Sequence, residues 1–390
     1  MMTTYKLVRC VLGAGRGDEW KKIVLAVMLA CLVAPASSRA QNAYIANETT
    51  VSVIDTATDV VTATIPVGLL PFGVAVTPGG SKVYITLQIS NSVQVINTAT
   101  NTVTATIPVG LVPEGVAVSP DGSKVYVANS SSAAGTLSVI DTATNTVIVT
   151  IPIGVGDQPN HVAVSPGGSR VYVTNAAANT VAVIDTATNT VIATIPVGPS
   201  PFGVAVTPDG SKVYVANQLA DTVTVINTAT NTVSAVVTVG LAPINVAVTP
   251  DGSKAYVTTL LSGPPAVAVI DTATDAVIAT IPVAANSLGV AATPDGGKVY
   301  VTSHGIPGIV SVINTATNTV SATIPVGLLP NGISIQPPPR FAGVPGSSNC
   351  RGASVSALAI KFGVLDDAAA ALGFSTVQGL QDAIQVFCAG

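Results

Sequence analysis

Residues 201–239 read PFGVAVTPDGSKVYVANQLADTVTVINTATNTVSAVVTV. Four short runs of alternating or β-branched apolar residues are separated by turn residues of two kinds, Pro208-Asp209-Gly210 and Thr228-Ala229-Thr230-Asn231. The Asp or Asn closing the third run recurs at Asp55, Asn97, Asp141, Asp185, Asn227, Asp271 and Asn314, which gives seven copies 42 to 44 residues apart. A period near 40 with four strands per unit is the signature of a β-propeller blade. The sequence therefore predicts an all-β chain, a seven-bladed propeller of four-stranded blades.

Within a blade, the strands are named a to d from the axis outward. Strand a is the GVAV run, b the KVYV run, c the VxVI run and d the VxATIPV run. Val, Ile, Thr and Tyr dominate them, as half-buried strands require. The a–b turn is Pro-Asp-Gly, where Pro fixes φ and Gly accepts a positive one. The c–d turn uses short polar side chains that bond local backbone.

The strands are not in phase with the chain. The first is a b strand at Ala43-Tyr44-Ile45-Ala46, and the last is a lone a strand, Gly332-Ile333-Ser334-Ile335. The C-terminal run is thus expected to supply the innermost strand of the first blade. Such closure removes the free edges that invite aggregation.

Composition bounds the function. The chain has 390 residues, 48% of them hydrophobic and 9% charged, enough for a sizeable core. Removing the six basic and two acidic residues before position 41 leaves nine basic and seventeen acidic, a net of −8. That balance argues against nucleic acid as a partner, which requires clustered Lys and Arg.

Residues 1–40 read as an export signal: Lys21-Lys22, the apolar run Ile23 to Ala34, and Ser38-Arg39-Ala40 as a small-x-small cleavage site. Twelve apolar residues are too few to span a bilayer, so no transmembrane segment is expected after processing. The mature propeller is assigned to residues 41–336 and an extracytoplasmic place: periplasm, cell surface or medium.

Residues 337–348, PPPRFAGVPGSS, read as a linker. Residues 349–390 change to helical spacing, with Val355, Leu358, Ala359 and Phe362 on one face, and predict a small helical appendage. Cys350 and Cys388 bracket it. An even pair in an exported chain predicts one disulfide.

The b strands carry a resemblance. Tyr172-Val173-Thr174-Asn175 is the literal tetrapeptide of the YVTN β-propeller repeat, and Tyr44-Ile45-Ala46-Asn47, Tyr126-Val127-Ala128-Asn129 and Tyr214-Val215-Ala216-Asn217 are near variants. With the GVAV-x-PDG and VIDTAT runs, the resemblance covers residues 43–336. It implies an extracytoplasmic propeller of the surface-layer or cell-surface type, and brings no shared catalytic residues.

Because strands alternate in direction, the turns sort onto two faces. The a–b and c–d turns are nearly the same in every blade. The d–a and b–c loops differ, and exposed variable loops carry recognition. Around the channel mouth on that variable face stand Phe72, Glu114, Asn160, Phe202, Ile244, Leu288 and Asn331, with His161 and Asn245 one position further along two strands. These nine are the candidate ligand-binding residues. Two histidines in different blades, His161 and His304, do not make a zinc site, and no GxSxG nucleophile motif occurs. No metal, cofactor or catalytic residue is expected.

On the uniform face Lys82, Lys124, Arg170, Lys212, Lys254 and Lys298 recur. In four of these blades an Asp stands three residues earlier (Asp121, Asp209, Asp251, Asp295), which predicts local pairing or plain solvation. The alternative is an anion-binding surface.

The sequence thus predicts an exported, monomeric, non-catalytic scaffold whose variable face takes a protein, peptide or small ligand. Its rivals are a propeller enzyme, lactonase-like or quinoprotein-like, and a structural surface-layer component. The enzyme rests on analogy of fold.

Overall fold

The computed structural model describes residues 41–337, apart from residues 132, 155 and 261–264. The export signal, most of the linker, the helical appendage and the Cys350–Cys388 pair lie outside the described residues.

Seven four-stranded antiparallel sheets form seven blades. In blade 2 the order from the axis is Pro71–Val76, Lys82–Leu87, Ser92–Asn97 and Thr102–Pro108. The other blades repeat it. Blade 1 is completed from the other end of the chain: Ile333–Ile335 pairs with Asn42–Ala46, which leads to Thr50–Asp55 and Val60–Pro66. The register is Ala43 with Ile335, Tyr44 with Ser334 and Ile45 with Ile333. The lone a strand closes the ring where the strand count places it.

The period-2 rule explains which side chains do the packing. Strands b and c are buried on both faces, because each sheet is sandwiched between two neighbours. Strand d alternates, with its outward positions exposed. Each hydrophobic cluster therefore joins two blades: Tyr44, Val51 and Val53 pack on Val83 and Ile85, and Tyr300, Val310 and Val312 on Ala43 and Ile45. Each fully buried Val or Ile contributes about 1.5–3 kcal/mol relative to exposure. The largest fully buried side chains are the seven b-strand tyrosines, one per blade.

The basic residues of the uniform face do not pair locally. Each reaches the c–d turn of the next blade. Lys212 Nζ donates to Thr272 O at 2.7 Å and to Asp275 Oδ2 at 2.8 Å. Lys298 does the same to Thr56 O and Asp59 Oδ2, at 2.9 and 2.8 Å. Lys82, Arg170 and Lys254 reach the equivalent carbonyls of Thr142, Thr228 and Thr315 at 2.5–2.7 Å. Tyrosine hydroxyls join them in several blades: Tyr214 donates to Asp275, Tyr256 to Asn318 and Tyr300 to Asp59, whereas the Tyr44 hydroxyl is buried without a partner among the described residues.

The four Pro-Asp-Gly aspartates are used otherwise. Asp209 Oδ1 accepts the Thr207 hydroxyl at 2.5 Å, and its other oxygen accepts the Ser211 hydroxyl at 2.7 Å. The expectation of local Lys–Asp pairing fails because the Asp is occupied by its own turn, while the lysine points across the blade junction.

Candidate functional site

The d–a loops set the stage on the variable face. The residue before the Pro that leads into strand a (Ser287 in blade 7, Pro330 ahead of the short closing strand in blade 1) lies in the left-handed region: Leu70, Val112, Gln158, Ser200, Ala242, Asn286 and Leu329, with φ between 49° and 58°. For a β-branched residue such as Val112 this is a strained conformation. The preceding blade holds it: the Val112 N–H donates to Asn91 Oδ1 at 2.8 Å, and the Ser200 and Ala242 N–H groups donate to Asn179 and Asp221. The strand then turns sharply inward and delivers its second residue to the channel mouth.

Threonines of the b strands fix those inner strands to one another. Thr174 Oγ1 accepts the His161 N–H at 3.0 Å and donates to Phe202 O, in the next blade, at 2.6 Å. Thr86, Thr258 and Thr302 make the same double contact in blades 2, 6 and 7. The small third position matters at Gly73 and Gly115, where a Cβ would meet backbone of the next strand at 2.3 and 2.6 Å. His161 and Asn245 break that rule, and so their side chains enter the channel mouth.

A cavity of about 320 Å3 lies there. Of the nine candidate residues, Phe72, His161, Phe202, Ile244, Asn245, Leu288 and Asn331 line it, together with Gln218 and Leu260. Three rings from blades 2, 4 and 5 meet: Phe202 lies 4.7 Å from His161, centre to centre, and Phe72 lies edge-on to both at 6.2 and 6.0 Å. These are favourable aromatic geometries. The imidazole Nδ1 is buried with no partner, and burial holds the imidazole pKa down at about 4, so the ring is neutral.

Glu114 and Asn160 occupy the same ring position but face other partners. Gln88 Nε2 donates to Glu114 Oε1 at 3.5 Å, and Ser130 Oγ donates to Asn160 Oδ1 at 3.1 Å. The Glu114 carboxyl is desolvated, with Oε2 unpartnered, and its pKa is pushed up to about 8. It is protonated at neutral pH. Gln218 and Leu260 were not among the sequence candidates; each directly follows a b strand, the position occupied by Gln88 in blade 2.

On the opposite face, a groove between blades 3 and 4 is lined by Asp121, Ser123, Lys124 and Thr186. Lys124 Nζ lies 3.5 Å from Thr186 O. An acid beside the base makes this a poor anion site. Among the described residues no three His, Cys, Asp or Glu side chains cluster as a metal site would require.

Fold and cavity together define a seven-bladed propeller with a lined channel mouth. Residues 157–263 match the family model of the YNCE-like beta-propeller, which agrees with the YVTN-type resemblance. Among solved structures, hydrazine synthase of Kuenenia stuttgartiensis is 26% identical, with a TM-score of 0.61 over 67% of this chain and 88% of that one. A functionally unknown protein from Desulfotomaculum acetoxidans DSM 771 is 20% identical, with a TM-score of 0.66 over 76% of this chain and 99% of that one. The dihydro-heme d1 dehydrogenase NirN, in complex with DHE, is 16% identical, with a TM-score of 0.57 over 75% and 74%. No curated protein matches significantly.

Proposed function

We propose that this protein is an extracytoplasmic, non-catalytic propeller that binds a ligand at the channel mouth of its variable face. The observation that carries the reading is the contrast between the two faces. On one, the same side chains are spent in nearly every blade on joining it to the next. On the other, seven equivalent positions hold five residue types, Phe, Glu, Asn, Ile and Leu, and five of the seven positions line one cavity. Export is inferred from the leader and from the YVTN resemblance.

Phe72 and Phe202 are the aromatic anchors, and aromatic side chains dominate binding hot spots. The test is native mass spectrometry of protein purified from its own extract. The Phe72→Ala/Phe202→Ala double variant should melt as a folded propeller and lose the co-purified ligand, a weakening of about 2 kcal/mol or more. Retention of the same ligand by the folded double variant would move the site away from the channel mouth.

A second reading, a propeller working inside a redox enzyme, is favoured by the likeness to hydrazine synthase. Its mark would be a light-absorbing cofactor that co-purifies with the protein and is lost on His161→Ala.

A further inference from the structure

Among the described residues, the cavity lining contains no charged side chain. Its two sectors differ in chemistry. Blades 2, 4 and 5 supply the rings of Phe72, His161 and Phe202. Blades 5, 6 and 1 supply the amides of Gln218, Asn245 and Asn331.

Each amide is half used by the protein. Asn245 Oδ1 accepts the Val246 N–H at 2.9 Å, which leaves Nδ2. Asn331 Nδ2 donates to Pro71 O at 3.2 Å, which leaves Oδ1. Gln218 Oε1 accepts the Ser200 hydroxyl at 3.4 Å, which leaves Nε2. The cavity is thus offered two amide donors and one amide acceptor. A ligand ion would leave water for a site with no counter-charge, which is costly. The one acid of the ring, Glu114, is turned to Gln88 and carries a proton at neutral pH.

On the reading that the channel mouth binds a ligand, we propose that the ligand is an uncharged aromatic or heteroaromatic ring bearing a carboxamide- or lactam-like edge. The ring packs edge-to-face against Phe72 and Phe202. Its carbonyl accepts from Asn245 or Gln218, and its N–H donates to Asn331. The cavity, about 320 Å3, lies at the small end of ligand pockets and suits one or two rings.

Isosteric pairs that differ only in charge test this. Benzamide against benzoate, and nicotinamide against nicotinate, are titrated by saturation-transfer NMR onto the full-length protein. The amides should bind, and each acid should bind at least about tenfold more weakly. Leu288→Lys places a cation in the lining and should reverse the order. Asn245→Asp removes a donor, adds a negative charge, and should weaken both members of each pair. Melting curves identify any variant that fails to fold, and the wild-type comparison stands without them.

Equal or tighter binding of the acids to wild type, abolished by Phe72→Ala/Phe202→Ala, would overturn the neutral-ligand inference and leave the channel mouth as the binding site. Binding of neither member of either pair would overturn the inference. If the Phe double variant also kept its co-purified ligand, the binding reading would fall with it.

Discussion

Asp59 shows how much one position does. It closes the c–d turn of blade 1 with φ of 57°, in the left-handed region that Asp and Asn tolerate best among side chains with a Cβ. It also receives Lys298 and Tyr300 from blade 7 across the junction. Asn145 and Asn318 hold the same place in blades 3 and 7, with φ of 54° and 53°, and accept the equivalent bonds from Lys82, Tyr84, Lys254 and Tyr256. Asp59→Asn should therefore cost less than ~1 kcal/mol, the worth of converting a partly exposed ion pair to a neutral bond. Asp59→Ala removes an acceptor from Tyr300 and Lys298, leaving both only the Thr56 carbonyl, and puts Ala at a left-handed position; it should cost about 1–3 kcal/mol. Urea melts of the two variants check this; equal destabilisation would mean that the carboxylate charge, lost in both, is what matters, and not the turn geometry or the neutral bonds that Asn preserves. Spacing along the sequence could not show these pairs. The partners lie 60 or more residues apart, while a carboxylate only three residues away invited a local pairing that does not form.

The closing strand carries the sharpest expectation at the level of elements. It is only three residues long, yet the residues on either side of it tether blade 2 as well: the Gly332 N–H donates to Phe72 O at 3.0 Å, and Gln336 Nε2 donates to Gly80 O at 2.7 Å. Truncation after Asn331 should lower the melting temperature sharply and bring aggregation, because the edge of Asn42–Ala46 becomes a free template. Truncation after Pro337 should spare the propeller. Equal melting of the two would remove the closure from the list of stabilising contacts. This element was legible in the sequence, because its phase follows from counting strands, and so were the blade count and the two faces. The ring cluster was legible only in part. Phe72, His161 and Phe202 could be placed on the rim from their position in the repeat, but their convergence depends on how far three blades lean toward the axis. The strain at Val112 left no trace, since Val is a poor guide to a left-handed backbone.

For the molecule as a whole, the ionisable groups set a pH window. Asp121 and Asp209 are held down at about 2, first by the hydroxyls of Ser119 and Thr207 and then by the Ser123 and Ser211 groups of the same turns. Asp251 and Asp295 are lowered for the same reason. Depressed carboxylates stabilise the fold above their unfolded pKa, near 3.9, and that stabilisation is lost as the pH falls toward 2. The melting temperature should thus decline below about pH 4. Glu114 acts with the opposite sign. Its contribution is full below its ordinary value of 4.5 and is lost as the pH rises through about 8. Glu114→Gln should therefore gain stability over wild type progressively between those limits and hold the gain above them. Calorimetry at pH 4 and pH 9 reads this directly; an equal difference at both would mean that Glu114 is not desolvated.

The ring closure also decides how the molecule bears tension. Ile333–Ile335 runs antiparallel to Asn42–Ala46, with Ala43 opposite Ile335, so both ends of the propeller leave the same end of the same strand pair. A force drawn between those two ends loads the hydrogen bonds one after another, from Ile335 back toward Ile333, rather than all at once in shear. The blade should peel at low force, and the ring should open at blade 1 before any other sheet is loaded. Held by one end only, the same closure lies outside the line of force. A propeller of this design therefore suits a free or singly anchored life and is poorly built to serve as a link in a chain under load.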